Sequence, residues 1–532
     1  MLSVSLKKWG FGFMSGLALS VAALGAADAA DRVVVALSFP QSESNLFWAG
    51  TGERMPIFQS LVGHDQHTGE FDNSELAESW SANDDFTQWT FKLKPDAEFH
   101  FGWGKVTAAD VIHSYNLTIA PESTVNSKAQ LIAQSVEAPD DHTVIFKFDS
   151  PRINYPFLHA GRGALVVYSK AQYDAEGLDG YIERPAGTAA YQFGSREDGV
   201  GVTFDAVEGH WQGEKPDFDV LEMRWSKEPA TLLAMLLSGE ADIASLPREL
   251  QSSAIEAGKE IIASKNAAMA TNIVFNGMYN RTGDEAAKPD LPWNNIKVRE
   301  AMNRALNRDE MRDILYDGRG MIIPNWLMDP RNEGYRQDLV DRFEEDYGYD
   351  PEKARALLAE VNYPDAFPDP VIPLVTFQLT GNPEFDTLME LVQVYFEAVG
   401  LQTEIRQIDV ATVGNIGRAR EAYFLHPARN SPIRPSEAGI VNFNTADGAP
   451  YGGFEDDTIE KLAADLGNAV FPEERNKIAG KAFEYLYDQY AELPLVSVQA
   501  EVLVDPSVVA GWDFPGVTTN SVSHWHLIEA AE

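Results

Sequence analysis

Two stretches of this chain alternate strand, helix and strand, and that alternation restricts the fold more than any other feature. Residues 220–225 read as a strand, 230–237 as a helix closed by Gly239, and Asp242-Ile243 as the opening of the next strand. The second instance runs through a strand at 371–379, an amphipathic helix over 383–399 and a strand at 401–408. Such alternation marks α/β layers. At 532 residues the chain is too long for one hydrophobic core, so the two instances are assigned to two α/β lobes.

Other local signals are equally direct. Residues 32–39 (RVVVALSF) read as a buried strand, and 55–62 as a short helix. WTFKLK and AEFHF read as strands turned by Gly102 and Gly104, and Thr107 caps a helix near 108–120 with Asp110 as the capping-box acid. Val298, Met302 and Ala305 recur at helical spacing and define a core face, while the basic residues around them are expected to be solvated or ion-paired. Asp350 and Pro351 start a further helix as N-cap and first helical residue.

Charge and cysteine usage exclude whole classes of function. Acidic residues outnumber basic ones by 81 to 42, a net charge of -39 that repels phosphate backbones, so no nucleic-acid partner is expected. Cysteine is absent, which removes disulfides and thiolate metal sites. Lys7 and Lys8, an apolar run over 11–24 and small residues before position 30 have the order of a cleaved signal peptide, assigned to residues 1–29. No other run of 18 apolar residues occurs, so direct membrane insertion is not expected. No nucleophile elbow, zincin motif or P-loop appears, which leaves a secreted hydrolase as the weaker alternative class.

Several motifs in the right order carry a family resemblance. Leu76-Ala77-Glu78-Ser79-Trp80, Thr90-Phe91-Lys92-Leu93-Lys94, Phe99-His100 and Val106-Thr107-Ala108-Ala109-Asp110 resemble the signature of the family 5 extracellular solute-binding proteins of ABC importers, the dipeptide, oligopeptide and nickel receptor group. One departure stands inside it, since the family's FHDG turn has Phe101 where Asp is usual. The resemblance implies an α/β, two-lobed periplasmic binding protein of type II with an extra subdomain in the first lobe. It implies lobe I at 30–270 with the subdomain at about 64–185, lobe II at 271–492, and a return to lobe I over 493–532. It further implies a monomeric, non-enzymatic receptor of the periplasm, without cofactor, that delivers a small-molecule or peptide solute to ABC permease subunits.

The resemblance also points to the site. Peptide-binding members hold the peptide's ammonium with an Asp in a stretch that corresponds to residues 423–435 here. No Asp lies between Glu421 and Glu437, and Arg429 or Asn430 stands near that place. An unpaired buried ammonium is costly, so the departure favours an anionic solute held by Arg429, with Arg434 nearby on a proline-rich loop; pairing of both with surface acids is the other reading. His426 stands where the family's Trp stands, either against the ligand or in packing. Asn45, Trp48, Asn276, Phe443 and Asn444 complete the candidates, each a cleft residue or a packing residue. A di- or oligopeptide receptor and a metal-chelate receptor remain alternatives. His524 and His526 flank Trp525, and no third metal ligand is evident.

Overall fold

Two long strands organise the molecule. Glu260–Phe275 and Glu492–Val504 run antiparallel, in register from Glu260↔Val504 to Val274↔Glu492. The computed structural model describes residues 32–38, 45–46, 56–123, 125, 128–160, 165–280, 290–377, 384–446, 452–516 and 522–532. The leader read at 1–29 and Trp48 lie outside these residues. Its carboxyl end, TNIVF, is rich in β-branched residues, and the strand extends back through an alanine-rich run to Glu260. Pairing along the second long strand overrides the weak β-propensity of alanine there.

Each end of this pair is extended into an α/β layer, giving one eleven-stranded sheet among the described residues. On one side Arg32–Ser38 lies parallel between Val220–Ser226 and Ile243–Ala244, with helix Pro229–Ser238 as the crossover and Gly239 in the left-handed conformation at its end. The VVVA run of the first strand is buried, as a central strand covered on both faces requires. On the other side Val371–Thr376 pairs in parallel with Gln402–Gln407 across helix Phe385–Ala398. The fold is that of a two-lobed periplasmic binding protein. Its lobes meet where Arg248 pairs with Glu384 at 3.4 Å, Asn154 donates to Glu437 at 3.4 Å, and Arg331 donates to the Thr68 carbonyl at 3.5 Å.

A separate four-stranded antiparallel sheet, ordered Ala77–Ala82, Gln88–Leu93, Thr143–Lys147 and Ser135–Asp140, packs its own core around Phe91 and Phe146. Helix Ala108–Ile119 starts with the expected capping box, the Thr107 amide donating to Asp110 Oδ2 at 2.8 Å. Two local readings are corrected. AEFHF forms only an isolated bridge, Glu98↔Lys105, before a 3-10 turn at His100–Gly102, because the two glycines leave no length for a ladder. Residues 56–62 contain turns and a bridge rather than a helix; their backbone groups pair with Ala77 and His159 instead of with each other. At the departed motif, Phe101 adopts φ 60°, a conformation Asp or Asn tolerates more readily, and its ring lies 3.7 Å from the Arg184 guanidinium.

Of the basic residues in the 296–316 helices, Lys297, Arg304 and Arg312 are ion-paired as expected, with Glu360 at 2.7 Å, Glu300 at 3.3 Å and Asp309 at 3.1 Å, whereas Arg299 and Arg308 bond to carbonyls. Arg308 donates to the carbonyls of Pro494 (2.7 Å), Asn303 (3.1 Å) and Tyr347 (3.0 Å) and to Asn303 Oδ1 (2.7 Å). Arg299 donates to the carbonyls of Gln489, Trp293 and Asn294. Both are buried, and they tie the start of strand Glu492–Val504 to the helical layer.

Candidate functional site

The segment expected as a proline-rich loop folds, in its first half, as a strand. Leu425–Asn430 runs antiparallel to Glu260–Phe275, with Val274↔His426 and Thr271↔Arg429 in register. Pro427 is tolerated because its other neighbour, Val371–Thr376, pairs only at Leu425, so the missing amide is not needed. Strand alternation then puts His426, Ala428 and Asn430 on one face and Arg429 on the opposite face.

The first face carries a buried polar ladder. His426 is buried, and its Nδ1 lies 2.5 Å from Asn276 Oδ1. Asn276 Nδ2 is already committed to the Gly452 carbonyl at 2.9 Å, so the imidazole nitrogen is the donor. Burial pushes the His426 pKa down to about 4, which keeps the ring neutral. Asn430 donates to Asn272 Oδ1 at 3.1 Å, and Asn272 in turn donates to Glu492 Oε2 at 2.5 Å. Asn325 Nδ2 and the Trp326 amide donate to Glu492 Oε1 at 2.6 and 3.2 Å. Glu492 keeps a small exposed edge, yet its carboxylate is turned inward, and this burial raises its pKa to about 8.

Glu492 lies in a small recess of about 20 Å³, partly open to solvent, at the second-lobe ends of the two long strands. Phe443 and Asn444, both singled out from the sequence, line it. Phe443 packs on Trp326 with ring centroids 5.1 Å apart, and Asn444 donates from Nδ2 to the Phe454 carbonyl at 3.0 Å. Arg434 lies past the strand, its guanidinium 5.5 Å from the Trp326 ring centroid and its amide on Asn332 Oδ1 at 3.3 Å.

The opposite face places Arg429, half-buried, beside Thr271, whose hydroxyl is held by Tyr316 at 3.1 Å. Asn45 is not brought to this region. It is buried in the first lobe, donating to the Ile182 carbonyl at 2.7 Å and accepting from Arg196 at 2.9 Å. His524 and His526 do not share a strand face, because His524 has φ 58° and precedes a 3-10 turn; its Nε2 lies 3.0 Å from the His64 carbonyl oxygen. Among the described residues no three His, Asp or Glu side chains converge as a metal site. Sequence reasoning missed Glu492; the available signal was a lone acid at the head of the apolar run LPLVSV.

A chain of two α/β lobes joined by a pair of crossing strands is a hinged binding protein in architecture. The profile described as "Bacterial extracellular solute-binding proteins, family 5 Middle" matches residues 73–435, and the chain belongs to this family. Among its relatives, the dipeptide-binding protein of Escherichia coli K12 is 26% identical over 434 residues, 76% of each chain. The heme-binding protein A of Haemophilus influenzae is 26% identical over 62% of this chain, a match spanning 60% of that protein's length. Among solved structures, the periplasmic binding protein AgaA of A. tumefaciens R10, in complex with agropinic acid, superposes with a TM-score of 0.71 at 20% identity, covering 94% of this chain and 98% of its own. Among the described residues no helix is long and apolar enough to cross a membrane.

Proposed function

We propose that this chain is the periplasmic receptor of an ABC importer, which captures a small anionic solute between its lobes and delivers it to the membrane permease. The observation that carries the ligand class is the position of Arg429. It is the penultimate residue of a strand that runs parallel to Val371–Thr376, at the carboxyl end, where open α/β sheets take their ligands. A guanidinium there suits a carboxylate or phosphate, and it stands in a chain whose net charge is -39. Relatives named for dipeptides and heme, and a protein of like fold in complex with agropinic acid, point to many solutes on one frame. The ligand must therefore be argued from this chain's own residues.

The test is thermal unfolding against organic acids, sugar phosphates, peptides and metal chelates. A ligand at about a hundred times its dissociation constant stabilises the native state by about 2.7 kcal/mol. Shifts concentrated among anions support the reading. Arg429→Ala should then weaken the best anion by at least about thirty-fold; an unchanged dissociation constant removes Arg429 from the site.

A further inference from the structure

One guanidinium spans the seam between the lobes. Arg248 opens helix Arg248–Glu256 of the first lobe, and its Nη1 lies 3.4 Å from Oε1 of Glu384, the residue that precedes helix Phe385–Ala398 of the second. The same group lies 3.3 Å from Glu501 Oε2 through Nε, donates to the Gln499 carbonyl at 3.3 Å through Nη2, and stands 5.0 Å from the Tyr316 ring centroid. The side chains of Arg248 and Glu384 are each 11% exposed and that of Glu501 is 6% exposed, so water screens these charges little.

The partners of Arg248 divide at the seam. Glu501 and Gln499 stand on strand Glu492–Val504, and Glu501 pairs with Ala263 at the place where the ladder to Glu260–Phe275 is first interrupted. Around this pivot Glu501 Oε2 also accepts from Gln251 at 3.3 Å and lies 3.4 Å from Arg319, whose Nη2 donates to Gln251 Oε1 at 2.8 Å. Groups at the pivot move little when the lobes rotate. Of the charged partners of Arg248 only Glu384 belongs to the second lobe, so parting the lobes leaves Arg248 on Glu501 and takes Glu384 away. The other two seam contacts are weaker in kind, each having an uncharged partner: Asn154 donates to Glu437 at 3.4 Å, and Arg331 donates to the Thr68 carbonyl at 3.5 Å. Burial raises the Glu384 pKa, and the nearby Arg248 charge pulls it back. Desolvation thus offsets part of the attraction, and the pair holds without locking.

We propose that Arg248 and Glu384 form a clasp by which the chain draws its lobes together on its own, so that a solute adds to a closure already populated. Every group in the clasp is supplied by the chain. The inference goes beyond the receptor reading above and needs only the hinged architecture, whatever the solute.

The test reads the distance between the lobes. The chain has no cysteine, so Ser252→Cys and Glu390→Cys place two spin labels at exposed positions, each on a helix that begins at a clasp residue. Pulsed dipolar spectroscopy on the mature protein, with no solute added, should find most molecules at the shorter of two distances. Glu384→Gln keeps the shape and removes the charge, and should raise the long-to-short ratio about tenfold. Glu384→Lys sets two cations face to face and should raise it further, whereas Asn154→Ala should leave it within about twofold. A ratio unaltered in both Glu384 variants, a wild-type chain already mostly at the long distance, or opening by Asn154→Ala as large as that by Glu384→Gln would each overturn the clasp. The wild-type distribution needs no clasp variant, so it stands even if one folds poorly. No solute enters the measurement, so failure of the clasp and failure of the receptor reading are seen separately.

Discussion

Replacing Glu492 by Gln should change how stability depends on pH, and the size of the effect follows from the surroundings of the carboxylate. Burial moves its pKa from the ordinary 4.5 to about 8. The folded state therefore holds a proton between those values that the unfolded chain has released, so the group's contribution is fully present below about pH 4.5 and is lost as pH rises through 8. At about 1.4 kcal/mol per unit the loss totals about 4–5 kcal/mol, a ceiling because the exposed edge admits water. In a chain of 532 residues unfolding as one unit, that corresponds to about 4–5 °C in Tm. Gln cannot titrate. Its amide must set an N–H against the Asn272 donor, an offset of about 1 kcal/mol that does not vary with pH. Other buried titrating groups, such as Glu75 raised to about 8 and His159 lowered to about 3, are common to both proteins and cancel in the difference. Melting both proteins by circular dichroism from pH 4 to 9 should show Glu492→Gln gaining steadily on the wild type between pH 5 and 8, then levelling. A difference that stays constant within about 1 °C would refute the inward-turned, desolvated carboxylate.

Three further outcomes are expected. Arg308→Met should cost about 3–5 kcal/mol in urea unfolding, because four acceptors, the carbonyls of Pro494, Asn303 and Tyr347 and the Asn303 side chain, lose their donor inside the protein. His426, held near 4 by burial, should show no NMR titration between pH 5.5 and 8; because the unfolded ring binds a proton first, its burial lowers stability as pH falls from about 6.5 toward 4. Asp350→Ala should lose about 1 kcal/mol, since Asp350 Oδ1 accepts the Lys353 amide at 2.9 Å as the cap of helix Pro351–Glu360.

The parts that were legible in the sequence depend on neighbours close in the chain. The capping acids Asp110 and Asp350, the turn at Gly239 and the helix between residues 371 and 408 all act within a few positions of themselves. What was not legible depends on distant pairing. Pro427 argues for a loop until the one-point contact of its strand with Val371–Thr376 shows that its amide is unneeded. Arg299 and Arg308 look like surface cations until carbonyls far along the chain are brought to them. Glu492 is the extreme case: two of its donors lie 220 and 167 residues away, so the chain around it shows only an acid beside a proline-interrupted strand. In the candidate set, His426 and Asn276 meet directly, Asn430 joins the Glu492 ladder, and Phe443 and Asn444 line the recess, whereas Asn45 is engaged in the first lobe.

The two long strands do more than link the lobes. Their ladder is interrupted between Ala263 and Ala267, between Ala267 and Met269, and between Thr271 and Asn272. Bulged positions bend more readily than regular ladder, so any rotation of the lobes should concentrate in this interrupted stretch, which would work like a leaf spring clamped at both ends. Substitutions at its first-lobe end, from Ala263 to Met269, should alter how often the molecule stands open while leaving the groups around Glu492 and Arg429 untouched. Apparent affinity, which scales with the fraction of binding-competent molecules, is thereby adjustable from a place that never meets the solute.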